Sequence, residues 1–158
     1  MKKDIKLLAV LATDGNNLSA DTIKNLSGKL GGDLKKIYDE FWASIPKIDK
    51  FYTKLLEDIN NKKRIHKQST FGNVYDFNPE FNVCGSPMCT AGHWVNMAGT
   101  KGYELQRKYG WEGAANILHR KVYPDYPCQN FGSIPQSWAM AYIEMMAETA
   151  DKGLPFEL

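Results

Sequence analysis

The spacing of apolar residues along the chain predicts helices. The clearest case lies between residues 48 and 59, where apolar side chains recur at intervals of three and four and mostly charged residues fill the positions between them. Such a period places the apolar side chains on one face of a helix. The set consists of Ile48, Phe51, Tyr52, Leu55 and Ile59. Residues 34–41 show a similar pattern after Asp33, a favourable helix cap, so we predict a helix there as well.

Serine and proline mark where further helices are predicted to begin. Ser44 precedes Pro46 by two positions, and Ser86 directly precedes Pro87. Serine is a favourable N-cap and proline is favoured at the first helical position. We therefore predict a helix start at each of these sites.

Glycine and a capping pair predict the remaining helices. Gly110 is expected to separate a short helix near residues 103–109 from another near residues 112–121, because glycine often ends helices. Ser133 and Gln136 have the spacing of a capping box. The helix that this pair opens carries apolar residues on two sides, so we expect it to lie in the middle of the fold.

These elements predict a mainly α fold. We expect a compact single-domain bundle of six to eight short helices with little strand, covering residues 1–158. An N-terminal helical layer is predicted over residues 1–60 and a C-terminal helical layer over residues 84–158. Residues 61–83 break the helical pattern and are rich in aromatic and turn-forming residues, so a long ordered aromatic loop is predicted between the two layers.

Composition narrows the class of protein without indicating a reaction. The 158 residues are 43% hydrophobic and 24% charged, which is ordinary for a globular domain. The formal net charge of +2 predicts no strong attraction to nucleic acid or to anionic lipid. The longest apolar run, Leu7–Ala12, is far shorter than the ~20 residues of a membrane helix, and the N-terminus lacks the features of a signal peptide. We therefore expect a soluble protein with neither a membrane nor nucleic acid as its partner.

The segment from Cys84 to His93 contains the residues best suited to catalysis. If Ser86 caps a helix, Cys89 lies in the first turn, where free amides and the helix dipole favour a thiolate. His93 is four residues later on the same helix face. A thiolate beside an imidazole suits a nucleophilic enzyme, with His93 or the more distant His119 as the base. The candidate catalytic residues are therefore Cys89, His93 and His119.

Two further interpretations of this helix start remain open. Its backbone amides could hold a phosphate or a carboxylate, beneath an ordered loop formed by residues 123–132. The residues predicted to bind such an anion are Ser86, Met88, Cys89, Tyr126 and Asn130. In the other interpretation the segment is structural: Ser86 caps the helix, Gly92 lets a neighbouring element approach, and the cysteines fill small spaces in the core.

Zinc is a further candidate ligand, because cysteine and histidine occur together here. The candidate zinc ligands are Cys84, Cys89, His93 and Cys128, with His119 as an alternative fourth ligand. Structural zinc sites use two close pairs of ligands, and this chain has only one, so we predict neither a metal nor another cofactor. Three unevenly spaced cysteines also do not indicate a disulfide framework, and we expect reduced thiols.

The same segment resembles a known sequence signature. Its residues Cys84-Gly85-Ser86-x-x-Cys89-x-Ala91-Gly92 are similar to the Cys-Gly-Thr-x-x-Cys-Ile-Ala-Gly signature of small uncharacterised proteins encoded by bacteriophages and prophages. The similarity covers roughly residues 71–148, and Ser86 replaces the usual threonine while keeping a capping oxygen. The resemblance implies a mobile-element origin, and together with the reduced thiols expected above it predicts a location in the host cytoplasm. It implies no activity.

From these features we expect a non-catalytic accessory protein of the phage or prophage type. It would bind a host protein or a small anionic ligand at the helix start at Ser86. One alternative is a hydrolase or transferase that depends on Cys89, and another is a structural or virion-associated protein.

Overall fold

The computed structural model describes residues 34–71 and 87–156, which are mainly helical with a single two-stranded sheet. The predicted fold class, mainly α with little strand, is confirmed. The predicted number of helices and their arrangement as one compact bundle stay predictions, since part of the chain lies outside these two ranges. None of the described helices is both long enough and apolar enough to cross a lipid bilayer.

The chain divides into two compact units, Met1–Ile45 and Pro46–Leu158. In the first unit the described residues form helix α1, Leu34–Ser44. The ring of Trp42 meets the ring of Phe41 edge to face, with 5.4 Å between the centroids. The helix predicted over this segment is confirmed, whereas Asp33, its predicted cap, lies outside the described residues.

The described part of the second unit contains four α-helices and the sheet. In chain order the elements are α2 (Phe51–Asn60), β1 (Ile65–His66), β2 (Pro87–Met88), α3 (Thr90–Met97), α4 (Gly99–Val122) and α5 (Gln136–Glu148). Single turns of 3-10 helix lie at Phe131–Ser133 and Ala150–Lys152. Helix α3 packs against α4, and α2 packs against α5. Helix α2 therefore groups with the C-terminal helices, while the predicted single domain of residues 1–158 stays a prediction.

Helix α2 begins later than the sequence predicts. The helix expected after Ser44 and Pro46 starts only at Phe51, because Lys50 adopts a left-handed conformation with φ of 54°. The amide of Phe51 donates a hydrogen bond to the hydroxyl of Tyr123 at 3.1 Å, which replaces a local cap. The central part of the predicted apolar stripe is confirmed by the complete burial of Phe51, Tyr52 and Leu55.

Residues Pro87–Met88 form a strand rather than the predicted first turn of a helix. They pair in parallel with Ile65–His66, and the amide of Lys67 donates to the carbonyl of Met88 at 2.9 Å. This pairing keeps the backbone extended, so helix α3 begins only at Thr90. The helix start predicted at Pro87 is therefore wrong, and Ser86, its predicted cap, lies outside the described residues.

Helix α4 contains a break that the sequence predicts. Gly110 has φ of 75° and ψ of 174°, far from helical values, so the segment consists of two helices joined at this residue. A positive φ of this size is easily adopted only by glycine. The prediction of separate helices before and after Gly110 is confirmed.

The core is built largely from aromatic rings. Phe51 lies flat on Trp94, with 3.5 Å between the ring centroids and 10° between the ring planes. Tyr52 meets the ring of Trp94 edge to face, and it meets the ring of Tyr142 in the same way. Each buried aromatic side chain removes roughly 150–250 Å² from water. This cluster therefore joins α2, α3 and α5.

Only one side of α5 faces the core. Ala139, Ile143 and Met146 on that side are fully buried. On its other apolar side Trp138 is 70% exposed and Met145 is 48% exposed. The expectation that α5 lies in the middle of the fold is therefore wrong, because one of its two apolar sides remains in contact with solvent.

The start of α5 also differs from the prediction. Pro135 occupies the N-cap position, and no side chain caps the helix. The Oε1 atom of Gln136 accepts a hydrogen bond from the amide of Gln68 at 2.6 Å. This side chain therefore ties the start of α5 to the loop after β1 instead of closing a capping box with Ser133.

Candidate functional site

Cys89 is the N-cap of α3 rather than a residue within its first turn. Its Sγ atom accepts a hydrogen bond from the amide of Gly92 at 3.5 Å, and its own amide donates to the carbonyl of Thr70 at 2.6 Å. The side chain is only 2% exposed. Burial raises the pKa of the Cys89 thiol, and the amides of Gly92 and Ala91 offset only part of that increase. The amides at this helix start thus face the sulfur, and the environment opposes the thiolate that a nucleophile needs.

Residues 67–71 close over the start of α3. A Cβ atom added at Gly92 would lie 2.1 Å from the carbonyl oxygen of Phe71, so only glycine permits this approach. The contact agrees with the interpretation in which Gly92 lets a neighbouring element come close. The cover expected from residues 123–132 is therefore supplied mainly by a different segment, although the turn Phe131–Ser133 does contact α3.

The residues predicted to bind an anion do not converge on this helix start. Met88 is buried in β2, and Ser86 lies outside the described residues. Tyr126 donates its hydroxyl hydrogen to the carbonyl of Leu154 at 2.7 Å. Asn130 is exposed and lies beside α5. Met88 is thus buried close to the start of α3. Tyr126 and Asn130 instead lie near α5 and the residues that follow it.

His93 stacks on His66 rather than pairing with the side chain of Cys89. The two imidazole rings lie 5.6 Å apart, with 24° between their planes. His93 is fully buried, and neither of its ring nitrogens is hydrogen-bonded within the described residues. Burial, with smaller contributions from His66 and Arg64, lowers the pKa of His93 to about 3, although nearby backbone carbonyls offset part of the shift. The ring is therefore neutral at pH 7 and makes no hydrogen bond to Cys89.

His119 lies inside a cluster of aromatic rings. It is fully buried, and neither ring nitrogen is hydrogen-bonded within the described residues. Burial lowers the pKa of His119 to about 3. The surrounding rings, with centroids 5.1 to 6.5 Å away, belong to Tyr52, Trp94, Tyr123, Tyr126 and Phe131. The candidate catalytic residues Cys89, His93 and His119 are therefore all buried.

The candidate zinc ligands are not gathered into one site. Cys89 is buried and Cys128 is exposed. Cys84 lies outside the described residues. Across residues 34–71 and 87–156, no group of three or more histidine, cysteine, aspartate or glutamate side chains could hold a metal ion.

An open groove lies beside the exposed side of α5. It has a volume of about 600 Å³ and a mainly apolar lining, and we call it the α5 groove. The groove is lined in particular by Ile134, Pro135, Trp138, Ala141, Tyr142 and Met145. Large exposed apolar surfaces of this kind are typical of binding sites. The α5 groove is therefore the strongest candidate for a functional surface in the described part of the chain.

Internal hydrogen bonds hold Tyr142 in the wall of the α5 groove. Its hydroxyl donates to Oε1 of Gln129 at 2.9 Å and lies 3.2 Å from the hydroxyl of Tyr52. The amide of Gln129 in turn donates to Oδ1 of Asn116 at 2.7 Å. The ring of Phe131 meets the ring of Tyr142 edge to face. These contacts anchor one wall of the groove to the core.

A second cavity, of about 250 Å³, adjoins the α5 groove because Met145 lines both. Its wall includes Tyr126, Leu154 and Phe156. Leu154 is 49% exposed. The apolar surface therefore continues from α5 toward the C-terminal residues.

The hydrophobic pattern does not single out the α5 groove. A helix with apolar residues on two sides indicates complete burial, and the pattern does not show that one side stays open. The sequence does carry one signal of a different kind. No lysine, arginine or histidine occurs between residues 122 and 151, which distinguishes this stretch from the rest of a net positive chain.

Comparison with family models, with curated proteins and with solved structures found no match for this chain. The resemblance to phage-encoded proteins, and with it the location in a host cytoplasm, stays a prediction.

Proposed function

We propose that this chain is a non-catalytic binding protein whose α5 groove holds an apolar segment of a partner protein. The observation that carries the proposal is the 70% exposure of Trp138 beside a groove of about 600 Å³. Tryptophan is enriched among the residues that dominate binding energy at protein interfaces. Covering Trp138 and Met145 removes apolar surface from water, which is favourable by roughly 25 cal/mol per Å².

The hydrogen bonds of Tyr142 support the proposal because they fix one wall of the groove before a partner arrives. A preformed site loses less conformational entropy when it binds. Met145 adds an unbranched and adaptable side chain, which can fit apolar partners of different shape. The groove thus combines a rigid wall with one deformable side chain.

We retain the accessory role expected from the sequence. The proposed binding surface is the α5 groove instead of the start of α3. The expected anion site requires open amides at the start of α3, whereas the described part of that helix start is closed by residues 67–71. The expected phage origin would make the partner a host protein. That part of the expectation is unchanged.

Selection from a library of short random peptides on the immobilised full-length protein tests the proposal. We expect the enriched peptides to share apolar residues and to bind the variant Trp138→Ser about 30-fold more weakly than the wild-type protein, because a dominant interface tryptophan contributes about 2 kcal/mol. The matched control is Ile65→Ser, which removes an apolar side chain that is 48% exposed outside the groove. Circular dichroism checks that both variants fold.

Two results would overturn the proposal. One is a selection that enriches no peptide. The other is a set of enriched peptides that bind Trp138→Ser as tightly as they bind the wild-type protein.

A further inference from the structure

Charge is unevenly distributed around the α5 groove. The whole chain has a formal net charge of +2, yet no basic residue or histidine occurs between residues 122 and 151. The carboxylates of this stretch belong to Asp125, Glu144, Glu148 and Asp151. Asp151 accepts a hydrogen bond from the amide of Thr53 within the fold, whereas Asp125, Glu144 and Glu148 are exposed. Within residues 122–151 the groove residues are therefore accompanied by carboxylates and by no basic side chain, and Lys152 follows directly after this stretch.

Glu144 and Glu148 lie along one side of α5 next to the groove. Each follows a groove residue by three positions, Ala141 in the first case and Met145 in the second, and residues at this spacing are neighbours on a helix surface. Like charges four residues apart destabilise a helix. Lys152 pairs with Glu148, whereas Glu144 makes no ion pair within the described residues. Glu144 is therefore the carboxylate at this edge with which a basic side chain of a partner would pair.

We infer that the occupant of the α5 groove is a basic amphipathic segment of the partner protein, an inference that rests on the proposed function. Its apolar face lies against Trp138 and Met145, and its lysine or arginine side chains lie beside Glu144 and Glu148. Trp138 and Met145 are seven positions apart, about 10 Å along the axis of α5. The occupant therefore spans at least about 10 Å.

The same charges disfavour other occupants. An anionic lipid surface or a small anion would meet exposed carboxylates at the edge of the groove. A second copy of this chain, docked groove to groove, would bring the same acidic edge against itself. A cationic amphipathic segment is the occupant that matches both the apolar wall and the acidic edge.

The composition of peptides selected on the wild-type protein is the first readout. We expect an excess of lysine and arginine over the unselected library. The double variant Glu144→Lys with Glu148→Lys should bind these peptides about fivefold more weakly at low salt, and the difference should shrink at high salt. The control, Asp49→Lys with Glu57→Lys, makes the same change in net charge at exposed positions outside α5. It should leave the affinity unchanged.

The outcomes separate this inference from the proposed function. Peptides that depend on Trp138 but show no excess of basic residues would overturn the inference and leave the proposed function intact. An equal loss of affinity in the control pair would also overturn the inference, because net charge alone would then explain the effect. The absence of any peptide that depends on Trp138 would overturn both.

Two direct measurements test the disfavoured occupants. Sedimentation velocity would reveal a dimer that Trp138→Ser dissociates, and co-sedimentation with phosphatidylserine vesicles would reveal lipid binding that the same variant abolishes. Either result would overturn the inference, because the groove would then be occupied by a second copy or by a membrane. We expect a monomer that does not bind the vesicles.

Discussion

The carboxylate of Asp151 accepts a hydrogen bond from the amide of Thr53 at 2.6 Å, although the two residues are 98 positions apart. Helix α2 has no side-chain cap of its own, since Lys50 before it supplies none. The hydroxyl of Tyr123 accepts a hydrogen bond from the amide of Phe51 and donates one to Asp151. Residues that follow α4 and α5 thus cap the start of α2. Their hydrogen bonds join the beginning of the second unit to its end.

Replacing Asp151 by alanine is expected to lower the free energy of unfolding by about 1–2 kcal/mol, the usual effect of removing a helix cap. The amide of Thr53 and the hydroxyl of Tyr123 each lose a partner. Urea denaturation followed by circular dichroism measures the change. The control Asp49→Ala removes an exposed carboxylate and should change the free energy of unfolding by less than about 0.5 kcal/mol. Equal stabilities of the two variants would contradict the role assigned to Asp151.

Gly92→Ala is expected to destabilise the protein by about 2 kcal/mol or more, because the new methyl group would collide with the carbonyl of Phe71. The control is Gly132→Ala, whose Cβ atom would lie 3.4 Å from Oε2 of Glu112, at the edge of ordinary contact. Thermal unfolding of the two variants compares the sites. If Gly92→Ala is as stable as Gly132→Ala, residues 67–71 do not close over α3 as described.

His93 and His119 are expected to make the folded state sensitive to acid. Both have a pKa of about 3 in the folded protein, whereas a histidine in an unfolded chain has a pKa of about 6.5. Between these two values the unfolded chain binds more protons than the folded one. The stabilising contribution is therefore complete above about pH 6.5 and is lost as the pH falls toward 3, at about 1.4 kcal/mol per pH unit for each histidine.

Urea unfolding at several pH values between about 7 and 5 measures how the free energy of unfolding depends on pH. This range lies above the ordinary pKa of carboxylates, so histidines titrate there and carboxylates largely do not. The variant His119→Phe keeps an aromatic ring in the cluster and removes one titrating group. Its free energy of unfolding should vary less steeply with pH, by about 1.4 kcal/mol per pH unit at the acidic end of the range. An unchanged slope would show that His119 is not a buried neutral residue.

Cys89 is expected to react with iodoacetamide on the order of 100-fold more slowly than Cys128, because one thiol is buried with a raised pKa and the other is exposed. Mass-spectrometric peptide mapping over a time course distinguishes the two sites. In concentrated urea both should be alkylated at similar rates. Comparable rates in the folded protein would restore Cys89 as a candidate nucleophile.

Local patterns predict those elements whose determinants are local. The spacing of Phe51, Tyr52 and Leu55 suffices to predict α2, and Gly110 alone suffices to predict the break in α4. In both cases the physical cause, a helical period or a positive φ, lies within a few residues of the element.

The errors arise where a distant partner overrides a local signal. Pro87 is a favourable first residue of a helix, but pairing with β1 holds it in a strand. The side chain of Gln136 suits a capping box, but it bonds to Gln68 instead. At the late start of α2, the backbone amides bond to Tyr123 and Asp151, which lie far along the chain. The spacing of residues along the sequence does not indicate such long-range contacts.

The candidate site was predictable only in part for the same reason. Cys89 was expected at the start of a helix, and it does lie there, but its burial depends on residues 67–71. The two apolar sides of α5 are visible in the sequence, whereas the exposure of Trp138 follows from which side packs against α2. That choice is made by the tertiary structure.

The fluorescence of Trp138 tests the central claim most directly. Trp138 is 70% exposed and Trp94 is fully buried, so the emission of Trp138 can be obtained as the difference between the wild-type protein and Trp138→Phe. We predict that a saturating selected peptide shifts this difference spectrum to shorter wavelength, because the indole ring leaves water when the α5 groove is filled. A peptide that binds the protein and leaves the emission of Trp138 unchanged would contradict the account.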